Sequence, residues 1–277
     1  MMRLLLFVMF YSSSIVYGQN RISIPPQLAE ISGLQKLNKN LFVAHNDSGD
    51  GPYLYFLDAS GALLKRTFVR GASNIDWEDL AYDGHENLYV GDFGDNGNKR
   101  SDLCVYRIPI LGSELKDSIV AERLNYIYPN RNSLNPMASE LNFDVESIVY
   151  IEGSLYLFSK NRTKPFDGMS KVYKGDFIDG GIELTCIQKI KVAGHSWLQS
   201  AVTGADYVEG RLFLLTYKKV LEYVWNEDEV VFVKKRSFFR LKQRESICYD
   251  RQGFIWIGSE KSILGKQHLK RIKWKLN

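Results

Sequence analysis

Asp76-Trp77-Glu78-Asp79-Leu80-Ala81, followed by Leu88-Tyr89-Val90-Gly91, is the stretch that decides the fold. A glutamate opens a short apolar strand, a polar turn follows, and a second apolar strand returns. The same order recurs at Glu30-Ile31-Ser32-Gly33-Leu34 with Leu41-Phe42-Val43-Ala44, and at Glu146-Ser147-Ile148-Val149 with Leu155-Tyr156-Leu157-Phe158. It returns at Glu245-Ser246-Ile247-Cys248 with Phe254-Ile255-Trp256-Ile257. One further unit has Thr203-Gly204-Ala205-Asp206 in the glutamate's place, followed by Leu212-Phe213-Leu214-Leu215. Apolar runs of this length, bounded by Gly, Asn and Asp and lacking a helical period, are strands.

Five units over residues 19–277 give about 52 residues each, the spacing of a repeating sheet unit in a β-propeller. The expected fold is therefore all-β: a single β-propeller domain over 19–277. The count reads as five blades, or six if the long interval between Glu78 and Glu146 hides a degenerate unit. Residues 131–140 in that interval read as an inserted loop. The last unit has three clear strands, and Arg21-Ile22-Ser23-Ile24 is a strand without a unit of its own. Pairing the two would close the ring and remove two open sheet edges. Pro25-Pro26 would end the added strand, since proline cannot continue a ladder.

Composition agrees with a folded chain. Of 277 residues, 45% are hydrophobic, 13% aromatic and 25% charged, with 22 glycines. Neither disorder nor a collagen-like repeat fits those values. A net charge of +4 is too small to point to nucleic acid. The N-terminus has a short basic start at Arg3, an apolar run over 4–10, and Val16-Tyr17-Gly18 before Gln19. That order reads as a signal peptide over 1–18, giving an exported protein, secreted or periplasmic. Cys104, Cys186 and Cys248 are far apart, odd in number and set in apolar runs; they read as buried thiols.

The repeat also locates a site. In an antiparallel hairpin, the start of the first strand and the end of the second lie at one end. Glu30, Glu78, Glu146 and Glu245 therefore converge on one mouth of the channel. Strand ends add His45, Asp47, Asp92, Lys160, Asn161, Arg162 and Lys218 to that face. Clustered carboxylates repel one another unless a cation sits among them. Hard oxygens at this density suit Ca²⁺, with Glu30, Glu78, Glu146, Glu245 and Asp92 as candidate ligands. The other reading has the glutamates bonding backbone amides, with no metal. Lys160, Asn161, Arg162 and Lys218 form a basic side suited to a small anionic molecule or a glycan. His45, Asp47 and Glu78 are the candidates for acid–base work or for orienting water. Gly91-Asp92-Phe93-Gly94-Asp95-Asn96-Gly97-Asn98 reads as an Asx-rich turn or a second calcium loop.

Charge is unevenly spread. Residues 234–277 hold 13 Lys or Arg and 3 Asp or Glu, a net of +10. Lys270, Lys273 and Lys275 alternate on a late strand, together with Arg236 and Arg240. They read either as edge protection or as a surface for an anionic partner. The chain is expected to be monomeric.

Glu30-Ile31-Ser32-Gly33-Leu34 with His45-Asn46-Asp47-Ser48-Gly49, and Asp76-Trp77-Glu78-Asp79-Leu80-Ala81 with Gly91-Asp92-Phe93-Gly94-Asp95-Asn96, resemble a group of secreted bacterial propeller proteins of unassigned function. The likeness covers residues 28–108. More widely, the glutamate-led strand in each unit resembles the five-bladed calcium-dependent apyrases, with Ser159-Lys160-Asn161-Arg162 in place of their phosphate-contacting loop. That loop lacks their paired arginines. The β-propeller phytases are similar in architecture, with acidic clusters heavier than these. The resemblance implies a propeller with a central ion, and metal-assisted hydrolysis of a phosphate ester or anhydride if the protein is an enzyme. The alternative is a non-catalytic binding or scaffold propeller with a structural ion.

Overall fold

The computed structural model describes residues 21–276, apart from 111–114, 193–195, 227, 228 and 264. The signal peptide expected over 1–18 lies outside the described residues. After β1 (Arg21–Ser23), β2 (Ile31–Asn38), β3 (Leu41–Asn46), β4 (Tyr53–Asp58) and β5 (Leu63–Arg70) run as an antiparallel meander. β6 (Trp77–Tyr82), β7 (Asn87–Asp92) and β8 (Cys104–Pro109) begin the next. The short β9 (Ser118–Val120) adds in parallel to β5, and β10 (Glu122–Asn125) pairs with β8.

The third meander is β11 (Val145–Ile151), β12 (Ser154–Ser159), β13 (Met169–Ile178) and β14 (Gly181–Lys191). It joins the second edge to edge through one parallel bridge, Asn125 to Gly181, making a single eight-stranded sheet. β15 (Val202–Val208), β16 (Arg211–Thr216), β17 (Lys219–Trp225) and β18 (Val230–Ser237) form the next. β19 (Arg244–Tyr249), β20 (Phe254–Ser259) and β21 (His268–Lys273) form the last. β1 pairs antiparallel with β21, Arg21 opposite Lys270 and Ser23 opposite His268. The fold is a β-propeller. β2, β6, β11, β15 and β19 each pack on the next, and β19 packs back on β2 around a central channel.

Apolar side chains fill the wedges between neighbouring sheets. Phe42 and Trp256 meet at 4.7 Å between the first and last sheets, over Ile31, Leu34 and Leu269. Each large side chain buried this way contributes about 1.5–3 kcal/mol. Tyr150 on β11 stacks on Tyr89 of β7, and Tyr249 on β19 stacks on Phe213 of β16. The three thiols are unpaired; Cys104 and Cys248 are buried, whereas Cys186 is only half-buried. β1 covers β21 over His268–Lys270 and leaves 271–273 without a further strand partner among the described residues.

Candidate functional site

The inner strands share one irregularity. Trp77 pairs with Asp92 and Asp79 with Gly91, so Glu78 is an extra residue in a β-bulge. Glu146 and Glu245 hold the same place in β11 and β19. In β2 the bulge residue is Ser32, and in β15 it is Thr203. A bulge turns its extra side chain out of the alternation. It aims the three glutamates at the channel mouth. The register corrects one equivalence read from the sequence: the counterpart of Glu78 in the first sheet is Ser32, and Glu30 lies two residues earlier. Ser32 donates to the Glu78 carbonyl and Thr203 to the Arg244 carbonyl, at 2.6 Å for the latter. Where the carboxylate is missing, a hydroxyl ties one sheet to the next.

A second set sits one residue beyond the returning strand: Asp47 after β3, Lys160 after β12, Tyr217 after β16 and Glu260 after β20. Backbone bonds fix these positions. Asp47 N–H donates to Glu30 C=O at 2.9 Å, Lys160 N–H to Asp144 C=O at 2.6 Å, and Glu260 N–H to Gln243 C=O at 3.1 Å. The corresponding Phe93 after β7 turns into the core, and Gly94 N–H makes the bond to Asp76 C=O. An added Cβ on Gly94 would lie 2.1 Å from Glu78 Oε1 and 2.5 Å from Asp76 Oδ2. Only glycine leaves those carboxylates room.

Both sets open into one cavity of 310 Å³ at the channel mouth. Six carboxylates line it: Glu30, Asp47, Glu78, Glu146, Glu245 and Glu260. Two cations face them, Lys160 and Arg162. Lys160 Nζ is 2.8 Å from Glu146 Oε2, and Arg162 binds Asp144 and lies 3.6 Å from Glu146 Oε1. The other five carboxylates have no ion pair among the described residues. Behind the cations, Tyr217 and Trp197 present their rings to Lys160 Nζ at 5.3 and 5.7 Å. Trp197 comes from the short helix α1 (Trp197–Ser200). The sheet with Thr203 at its bulge and the helix before it thus supply the aromatic wall.

Crowding and burial shift the acids together. Burial, with Glu146 and Asp47 nearby, pushes Glu78 well above the carboxylate range. Burial and the Asp47 charge bring Asp76 to about 7. Burial raises Glu146 to about 8 although Lys160 opposes it, and burial with Asp47 and Glu30 raises Glu260 to about 8. Burial also raises Glu245, and its Oε2 is buried without any hydrogen-bond partner. Burial alone would lower Lys160, but Glu146, Glu245 and Glu78 outweigh it and hold it charged. Asp47, Asp76 and Glu78 each bring one oxygen to within 4.8 Å of the others. Two oxygens on one Ca²⁺ are at most about 5 Å apart. The oxygen set fits that ion.

No family model matches the chain, and no curated protein matches it in sequence. Solved structures carry the likeness. The chain is similar to the glutaminyl cyclase of Myxococcus xanthus, at TM-score 0.53 and 14% identity over 93% of this chain and 95% of that one. It is similar to a Bacteroides thetaiotaomicron protein of unknown function, at TM-score 0.47 and 14% identity over 88% and 70%. The WD40 propeller domain of Doa1 gives TM-score 0.40 at 14% identity over 85% and 64%. At these identities the likeness concerns the fold.

Several expected site residues lie elsewhere. His45 is fully buried inside β3, with its ring against Gly33 and edge-on to Trp77 at 5.4 Å. Burial lowers its pKa to about 4, so the ring is neutral and sealed from the cavity. Asp92 accepts from Arg100 at 2.9 Å and from Asp76 N–H at 3.1 Å, a strand-end cap away from the cavity. Asn46 does the same for Glu30 N–H in the first sheet. Asn161 organises its own loop, accepting from Thr163 N–H and donating to Met169 C=O. Lys218 Nζ donates to Phe239 C=O. Glu146 faces the cavity, but Lys160 and Arg162 take up its carboxylate. The Gly91–Asn98 segment is an Asx turn: Asp95 accepts from Lys99 and Arg100 N–H and pairs with Arg131. Trp197, Tyr217 and Gln243 were missed by sequence reasoning. Tyr217 alone had a signal, its place after a returning strand.

Proposed function

We propose that this protein is an exported five-bladed propeller that binds Ca²⁺ at its channel mouth. Asp47, Asp76 and Glu78 would hold the ion, and a small anionic ligand would lie between it and the Lys160–Arg162 side. The observation that carries this reading is the excess of carboxylates over cations in one cavity, with Glu245 Oε2 buried and unpartnered. Five inner strands support the blade count, and the leader-like sequence over 1–18 supports export.

The activity that suits this arrangement best is hydrolysis of a phosphate ester or anhydride. A bound Ca²⁺ supplies charge neutralisation at phosphoryl oxygens. Arg162, partly exposed at the opening, binds and orients the anion, and Lys160 behind it stabilises developing negative charge. Asp47, beside Glu78, orients water. Tyr217 and Trp197 keep bulk water from the cations.

The test is the thermal midpoint in EDTA and then in millimolar Ca²⁺. An ion at about 100-fold excess over its Kd adds about 2.7 kcal/mol to a fold that alone binds it. A rise that Glu78→Gln abolishes supports the reading; no rise, with no metal found by mass spectrometry, overturns it. A screen of nucleotides and phosphorylated sugars then separates hydrolase from scaffold, because the scaffold turns over none.

A further inference from the structure

Residues 238–243 form the loop from β18 to β19. Phe239 in it is 96% exposed and Leu241 47%. The loop is firmly held. Phe238 is buried, with the Arg244 guanidinium 4.2 Å and Lys270 Nζ 5.1 Å from its ring centre. Phe238 N–H donates to Lys218 C=O at 2.7 Å, and Lys218 Nζ donates back to Phe239 C=O at 2.7 Å. Arg244 donates to Arg240 C=O at 3.2 Å. The backbone on both sides of Phe239 is pinned while its ring projects into solvent. A neighbouring loop adds Ile263, fully exposed, and is tied to this one by Glu260 N–H donating to Gln243 C=O.

The surroundings are uniformly basic. Arg21, Arg240, Arg244 and Lys270 are close enough to depress the Lys242 ammonium, after burial, and Arg244 and Arg236 do the same to Lys270. None of these six has an ion pair with a carboxylate among the described residues. The three acids of residues 234–277 all turn inward. Glu245 and Glu260 face the cavity, and Asp250 is buried against Trp256 and Lys36. Lys234 of this segment pairs with Glu222, and Arg251 lines a separate pocket with Asp206, so the charge of this face rests on the six residues named.

Exposed apolar side chains set among uncompensated Arg and Lys are the chemistry of an interfacial anchor. We propose that this face docks on a bilayer rich in anionic lipid, with Phe239 and Leu241 entering the interface and the basic cluster facing the headgroups. A soluble polyanion would use the charges and leave Phe239 without a role.

Co-sedimentation of the full chain with vesicles tests this. One set is phosphatidylcholine alone; the other carries phosphatidylglycerol in addition. Binding is expected only to the anionic vesicles, and to weaken as salt is raised. Phe239→Ser should cut partitioning at least tenfold with an unchanged thermal midpoint, since the side chain touches nothing that holds the fold. Arg240→Glu with Lys242→Glu should abolish it, and Glu78→Gln should leave it intact. No binding at low salt, or binding to anionic vesicles that Phe239→Ser leaves unchanged, overturns the proposal; the second outcome assigns the face to soluble polyanions.

Discussion

Lys160 Nζ lies 2.8 Å from Glu146 Oε2, and both side chains are almost wholly withdrawn from water. The pair joins the two residue sets at the mouth, one from a bulge and one from a strand end, within a single hairpin. Breaking a buried pair leaves its partner uncompensated and costs about 3–5 kcal/mol. Lys160→Met should lower stability to urea at neutral pH, by less than that figure because Arg162 still faces Glu146 at 3.6 Å. Adding Glu146→Gln should recover most of the loss. An additive double variant would show that the two side chains act independently.

Gly94 tests the acidic cluster without removing an acid. Its backbone does not require glycine, but the space beside Glu78 and Asp76 does. Gly94→Ala should displace both carboxylates and weaken Ca²⁺ binding at least tenfold by calorimetry. The thermal midpoint in EDTA should move by only a few degrees. Unchanged Ca²⁺ binding would take Asp76 and Glu78 out of the ion site.

His45 is structural, and Gly33 is the residue that admits it. A Cβ on Gly33 would lie 2.2 Å from His45 Nε2, and Trp77 blocks the ring's retreat. Overpacking of this kind costs about 1–3 kcal/mol. Gly33→Ala should shift the urea midpoint by that amount with an unchanged slope. A silent substitution would mean that the ring has room to move.

His268 sits among Arg21, Lys242 and Arg244. Burial first, and then those charges, lower its pKa to about 4. The folded form therefore resists a proton that the unfolded chain takes up near 6.5. Stability from the neutral ring is complete above pH 6.5 and is lost as pH falls toward 4. His268→Gln should flatten that part of the thermal midpoint's pH profile. An identical slope in the variant would place the acid sensitivity elsewhere.

Much of this was legible in the sequence. Strand, turn and strand recur with an apolar signature, so the propeller could be read from them. Glu78, Glu146 and Glu245 stand at one place in successive units, so their convergence could be read too. Matching units by the glutamate itself misplaced the first, because bulge position is set by pairing register and Ser32 holds it. Asp47, Lys160, Tyr217 and Glu260 share a position but no common residue type, so no repeat of one residue marks them. His45 looked available because it stands near the end of a returning strand; its burial depends on Gly33 and Trp77, which the fold brings from elsewhere. Asp92 looked like a ligand and proved to be a cap, since a carboxylate at a strand end serves either purpose.

β1 joins the last sheet through three residue pairs with β21, and the first and last sheets pack on each other through β2 and β19. Every other sheet is tethered to the next by an unbroken chain, so this seam alone depends on non-covalent pairing and packing. A nascent chain must keep its earliest strand waiting until its latest one has left the ribosome. Until then the first and last sheets stand apart, and Glu30 and Asp47 have not yet met Glu245 and Glu260. The full ring of acids around the mouth is therefore assembled only when the seam shuts, although Asp47, Asp76 and Glu78 already meet between the first two sheets.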